Sequence, residues 1–233
     1  PPLIHHEDGF NEDETARRNW KRNLFRRIGL PTAQAVVVPS TLLQRIAADE
    51  WKAGALTQLI RNGIDIGAYR PPPDVAIPGF ERREGEVVIG TVAGLRKVKD
   101  LPRLVRAVAT LPANVRLVIV GEGPEREAIR AEAAACGIAD RLIINLLALS
   151  SHSEQAPIAV IEAMAGGLPV VSPDVGDIAA MVSDENRRFI AADEASFRAA
   201  LAELAADAAL RQQIGSANRA IAAERFDEST MVA

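Results

Sequence analysis

The chain has 233 residues, 48% of them apolar, which is enough for one large domain or two small ones around a sizeable core. Its net charge of -4 excludes a general nucleic-acid binder, which needs a basic surface. A single cysteine, Cys136, excludes an intrachain disulfide and fits a reducing cytosol, and no apolar run approaches the roughly 20 residues of a membrane-spanning helix.

"PPLIHH" (1–6) reads as a strand and "DETARRNWKRNLFRRIG" (13–29) as a helix. In that helix Trp20, Leu24 and Ile28 recur at helical spacing among Arg17, Arg18, Lys21, Arg22, Arg26 and Arg27. Two readings fit: residues 16–28 lie on an anionic membrane surface, or the helix packs on the protein by its apolar stripe. "QAVVVPS" (34–40) is a strand ending at Ser40, an N-cap for a helix over 41–50. "LTQLIRNGID" (56–65) ends in the turn signal Asn62-Gly63. The Pro-rich, charged stretch "YRPPPDVAIPGFERREGE" (69–86) marks a linker over 71–85, which closes a first unit at residue 70.

Beyond the linker, "EVVIGTVAG" (86–94) reads as a buried strand and "LPRLVRAVATL" (101–111) as a helix. The strand "VRLVIVGEG" (115–123) leads to a helix over 124–137, with Pro124 near its start and Gly137 past its end. "RLIINLLALSS" (141–151) is strand-like, "PIAVIEAMAGG" (157–167) helical, "PVVSPD" (169–174) a strand and "IAAMV" (178–182) a short helix. A last strand over 187–193 precedes a helix over 194–207. Strands and helices alternate, and the strands are almost continuously apolar. That pattern predicts an α/β fold: a parallel sheet covered by helices, with ligands at the carboxyl ends of the strands. A dinucleotide-binding dehydrogenase is disfavoured, because "GEGPER" has Pro124 and no third glycine.

The stretch "SEQAPIAVIEAMAGGLPVV" carries two carboxylates, Glu154 and Glu162, on an otherwise apolar background. Pro157 starts the helix, so the amides of Ile158 and Ala159 point out of its N-terminus and form an anion site. A phosphate there, between two carboxylates that accept from hydroxyls, suits a sugar nucleotide. The alternative is a helix cap plus one buried pair.

This Glu-x7-Glu block, with "AMAGGLPVVSPDVGD" behind it, resembles the signature of glycosyltransferase family 4, retaining enzymes of the GT-B fold. "RNGID" (61–65), "GTVAGLRKVKD" (90–100) and "VRLVIVGEGPERE" (115–127) fall in the family's order. "AERFDESTMVA" (223–233) is similar to its closing helix, placed here at 216–233. The resemblance implies a partial first Rossmann-like domain over 1–70 on the acceptor side. It also implies a nearly complete nucleotide-sugar-binding domain over 86–215. It assigns Glu154 to the donor sugar near the reacting carbon, Glu162 to the ribose, and Lys99 to the leaving diphosphate. Such a cation stabilises charge that develops in the transition state.

The chain departs from the family in three ways. Gly94 stands where the family has a phosphate-binding arginine, and Arg96 is the nearby substitute. "RLIIN" runs directly into "LLALSS", so an internal deletion near residue 145 is expected. The initial strands of the first domain are absent, so an N-terminal truncation is expected. His6 matches weakly an active-site histidine of the first domain, which on the acceptor side would contact substrate; local capping is its alternative. No Asp-x-Asp pair or histidine cluster occurs, so a metal-independent transferase without cofactor is expected. The implied partners are a nucleotide-diphosphate sugar and a glycan or lipid-linked acceptor, and the implied location is cytoplasmic or peripheral on the inner face of a membrane. The rival function is a non-catalytic nucleotide-sugar-binding remnant or scaffold of such an enzyme.

Overall fold

The computed structural model describes residues 2–10, 19–69, 81, 83–121, 123–141, 147–148 and 157–231. Its strands form two parallel sheets, a three-stranded one ordered β1 (Ile4–His6), β2 (Ala35–Val38), β3 (Thr57–Leu59) and a five-stranded one ordered β5 (Val115–Val120), β4 (Val87–Val92), β6 (Leu147–Ala148), β7 (Val170–Pro173), β8 (Ile190–Ala191). This is the α/β architecture that the alternating pattern predicts.

The first unit holds β1 (Ile4–His6), α1 (Trp20–Gly29), β2 (Ala35–Val38), α2 (Thr41–Asp49) and β3 (Thr57–Leu59). The β-branched run of β2 sends Val36 and Val38 to one face, where they pack with Leu43, Ile46 and Ala47 of α2 and with Trp51. Ser40 caps α2 as expected, its hydroxyl accepting from the Leu43 amide at 3.1 Å.

Helix α1 is inserted by its polar side. Asn19 caps it through the Lys21 and Arg22 amides. Asn23 bonds Trp51 and Glu50, and the Arg26 guanidinium meets the Glu7 carboxylate at 2.9 Å, stacked over the rings of Phe10 and Trp51. The apolar stripe is left outside: Trp20 is 68% exposed, Leu24 47%, Phe25 75% and Ile28 64%. The reading in which α1 packs by that stripe is therefore corrected. Asn23 and Arg26 find partners on the protein, and a stripe on the opposite side cannot reach it at the same time.

The second unit begins with β4 (Val87–Val92), α3 (Leu101–Ala109), β5 (Val115–Val120) and α4 (Arg126–Ala135). Strands β4 and β5 pair over six residues. Beyond them the Ala93 amide bonds the Val120 carbonyl and the Glu125 amide bonds the Leu95 carbonyl. A side chain at Gly121 or Gly123 would run into the Ala93 or Leu95 carbonyl, so glycine is what lets the two loops touch. Then follow β6 (Leu147–Ala148), α5 (Ile158–Ala165), β7 (Val170–Pro173), α6 (Ile178–Met181), α7 (Asp184–Arg187) and β8 (Ile190–Ala191). The chain ends in α8 (Glu194–Ala206), α9 (Ala208–Arg225) and α10 (Glu228–Met231). The expected deletion near residue 145 and most of the strand over 141–151 lie outside the described residues, as does the part of the helix expected over 13–29 that precedes residue 19.

Three boundaries differ from the sequence reading. The strand expected over 187–193 is only Ile190–Ala191, because Ser183 caps a helical turn over Asp184–Arg187, its hydroxyl accepting from the Asn186 amide. The buried Asn186 side chain then pairs both backbone groups of Val170, each at 2.8 Å, as a strand neighbour would. The division at 215/216 falls inside the continuous helix α9, where Gly215 lies against the Gly167 carbonyl beside α5. Ile64, Ile66 and Tyr69, placed in the first unit by sequence, pack into the core formed by α5, β7 and the end of α9. Most of the linker over 71–85 lies outside the described residues.

The units are joined by a carboxylate at a helix end. Asp177, just before α6, accepts from the Thr41 amide at 2.6 Å, the Thr41 hydroxyl at 2.8 Å and the Leu42 amide at 3.1 Å. Those amides open α2, where the helix dipole favours an anion. Replacing Asp177 by alanine is expected to cost about 1–2 kcal/mol, the scale of a lost helix cap. Urea denaturation checks this, and an unchanged midpoint would show that the cap contributes nothing.

Candidate functional site

The carboxyl end of β4 and the N-terminus of α5 open on one cleft of about 620 Å³. Val92, Ala93 and Gly94 border it from the strand end, Arg96 and Lys99 from the loop that follows, and Pro157, Ile158 and Ala159 from α5. Asp8, Pro39 and Asn62 of the preceding unit form the opposite wall.

Local geometry explains the convergence. The Arg96 amide donates to the Gly94 carbonyl at 2.8 Å, a tight turn that folds residue 96 back over residue 94. The Arg96 Nε stands 3.4 Å from where a Cβ on Gly94 would be. Its guanidinium thus occupies the space into which a residue-94 side chain would project. A turn over Lys97–Lys99 and a left-handed Asp100, a conformation aspartate tolerates, then start α3. This places Lys99 on the cleft wall.

At α5 Pro157 is the extended N-cap and the helix begins at Ile158, one residue later than Pro157 as a first-turn residue implied. Proline offers no capping side chain, and the amides of Ile158 and Ala159 make no hydrogen bond among the described residues. The first turn of α5 holds no acidic residue, and two cationic side chains line the same cleft, an arrangement whose electrostatics favour an anion over a cation.

The other expected site residues are placed as follows. Glu154 lies outside the described residues. Glu162 is one turn beyond Ile158 on the same side of α5 but does not line the cleft. Its carboxylate accepts from the Tyr69 hydroxyl at 2.9 Å. His6 is exposed at the rim, its Nε2 3.1 Å from Asp8, which lines the far wall. The structure therefore brings Arg96, Lys99, Ile158 and Ala159 to one cleft, with Glu162 behind it and His6 at its edge.

Sequence reasoning missed Tyr69 and the wall of Asp8, Pro39 and Asn62. The wall residues come from three separate strand ends, and only the fold assembles them. Tyr69 carried one legible signal, as the sole tyrosine, four residues after the "RNGID" turn. Its phenol is held above the ordinary value of 10.0, first by burial, then by its hydrogen bond to Glu162 and by the charges of Glu162 and Asp65.

A raised phenol pKa means that the folded state holds this proton more tightly. The associated stability is present below the ordinary value and is lost as pH rises through the folded one. With one tyrosine in the chain, tyrosinate absorbance reads Tyr69 alone. The titration is expected above the ordinary value in the parent and closer to it in Glu162→Gln. Identical curves would deny the contact.

The geometry agrees with what the chain resembles. The family described as Glycosyl transferases group 1 matches residues 86–207. A D-inositol 3-phosphate glycosyltransferase of Segniliparus rotundus is 30% identical over 177 residues, covering 66% of this chain and 38% of that protein. One of Mycobacteroides abscessus is 31% identical over 154 residues, covering 56% of this chain and 34% of that protein. This chain thus spans well under half the length of these curated relatives. Among solved structures, Anabaena HepE in complex with UDP superposes with a TM-score of 0.83 at 21% identity, covering 99% of this chain and 70% of HepE. The sucrose-phosphate synthase of Thermosynechococcus elongatus superposes at 0.81 and 21% identity, covering 98% of this chain and 64% of the synthase. At such identities the superpositions show the fold, which is the GT-B fold. With more than half of its residues matching the family, the chain belongs to the group 1 glycosyl transferases.

Proposed function

We propose that the protein moves a sugar from a nucleotide-diphosphate donor to a glycan or lipid-linked acceptor, with retention at the reacting carbon, as a member of glycosyltransferase family 4. The observation that carries this reading is the convergence of Arg96, Lys99 and the Ile158 and Ala159 amides on one cleft at a strand end. HepE, which shares the fold, was crystallised with UDP, and this supports a nucleotide diphosphate as the ligand. The curated relatives are named for D-inositol 3-phosphate, so a phosphorylated polyol is a further acceptor to test.

Breaking a glycosyl–phosphate bond leaves negative charge on the departing diphosphate. The helix amides are held in place by the backbone, and Lys99 and Arg96 lie on the same cleft, so together they would stabilise that charge. In this scheme no metal is required, Glu162 accepts from ribose hydroxyls, Glu154 faces the donor sugar, and His6 lies on the acceptor side.

The helix α1 supports a place on the cytoplasmic face of a membrane. Its exposed Trp20, Leu24, Phe25 and Ile28 lie among the exposed cations Lys21, Arg22 and Arg27, a pattern that suits an anionic lipid surface. No described helix is long and apolar enough to cross a membrane.

Two measurements test the reading. A transfer assay over a panel of nucleotide sugars and acceptors should show turnover that survives chelators, and Lys99→Ala should lower kcat/KM by about a hundredfold, the scale of removing one transition-state donor. Turnover unchanged by that substitution would remove Lys99 from the chemistry. On vesicles rich in anionic lipid, tryptophan emission should shift to the blue through Trp20, since Trp51 is already buried. No shift, or an equal one on neutral vesicles, would contradict the membrane contact.

A further inference from the structure

Glu162 sits on a helix whose neighbouring residues Val160, Ile161, Ala163 and Met164 are all buried. Glu162 itself is half-buried, and the Tyr69 hydroxyl donates to its Oε1. The remaining oxygen, Oε2, takes no hydrogen bond from a described residue. Tyr69 ends a turn over Ile66–Tyr69 that is itself fixed. Ile66 is 3% exposed beneath α5, and the Ile64 amide and carbonyl bond Phe226 and Glu228 across the end of α9. The phenol is therefore a rigid donor placed by the backbone, on a side chain with few rotamers to lose.

We propose that Tyr69 is a positioning residue: it holds one oxygen of Glu162 so that the other is aimed at a nucleotide's ribose hydroxyl. This rests on the nucleotide-diphosphate reading above and adds to it the group that sets the carboxylate's direction. Glu162 lies one helical turn beyond the Ile158 amide, so a diphosphate on the helix end places the adjoining ribose at that depth. Without the phenol the carboxylate keeps its charge but loses its fixed rotamer. Selectivity for a ribose bearing hydroxyls should fall while attraction for the phosphates stays.

The test compares the parent chain with Tyr69→Phe, which keeps the ring and removes only the hydroxyl. Calorimetry is run with UDP, 2′,3′-dideoxy-UDP and inorganic pyrophosphate. Tyr69→Phe is expected to bind UDP about five- to tenfold more weakly, the scale of one ordinary hydrogen bond. The dideoxy nucleotide and pyrophosphate should bind parent and variant alike. Glu162→Gln should show the same loss of ribose selectivity, and the double variant no further loss. A Tyr69→Phe chain with the parent's preference for UDP over the dideoxy nucleotide overturns the role of Tyr69 alone. Equal weakening for all three ligands also overturns it, because that pattern marks a merely structural residue. A parent that binds none of the three contradicts the nucleotide-diphosphate reading itself, and the role of Tyr69 with it.

Discussion

A helix N-terminus presents unpaired amides and the positive end of a dipole, and this fold sets two of them near the boundary between its sheets. At α2 the demand is met from within, by the Asp177 carboxylate of the other unit. At α5 the N-cap is Pro157, which can meet nothing. The first junction seats the unit that carries Asp8 and Pro39 against the second. The parallel bridge between Ile64 and Asp227 ties the end of α9 to the same region. The cleft lies between these walls, so its far side exists only because the junction holds.

The distribution of charge follows the same logic. The chain is acidic overall, yet the loop after β4 sets Arg96 and Lys99 on the same cleft as the start of α5. Exposed ion pairs elsewhere, such as Arg130 with Glu127 and Arg187 with Asp184, contribute little to stability in water. Cations that share one cleft wall with helix amides act together on a ligand, so their effect exceeds that of an isolated surface pair. Gly94 is part of this arrangement, because a side chain there would meet the Arg96 guanidinium.

Much of this was legible in the sequence, and the reasons differ by element. The βα alternation, the Ser40 cap and a helix opening beside Pro157 follow from local pattern, so they were readable and appear in the structure. The fold and the group 1 family were legible in the order of the motifs. What failed was set by tertiary contact. The polar side of α1 faces inward because Trp51 and Glu7 offer partners from distant segments. The strand before α8 is short because the buried Asn186 takes over the pairing of Val170. Tyr69 meets Glu162 because the turn after "RNGID" packs on α5, a contact of residues 93 positions apart. The far wall of the cleft was illegible for the same reason.

The central claim is that the end of α5 and the loop carrying Arg96 and Lys99 together receive a nucleotide diphosphate. The most direct measurement is an amide nitrogen–proton correlation spectrum of the labelled chain, titrated with UDP. The account predicts that the largest shifts fall on the Ile158 and Ala159 amides, accompanied by Gly94 to Lys99, while the Thr41 and Leu42 amides capped by Asp177 stay in place. Saturable shifts centred elsewhere, or none at Ile158 and Ala159, would contradict it.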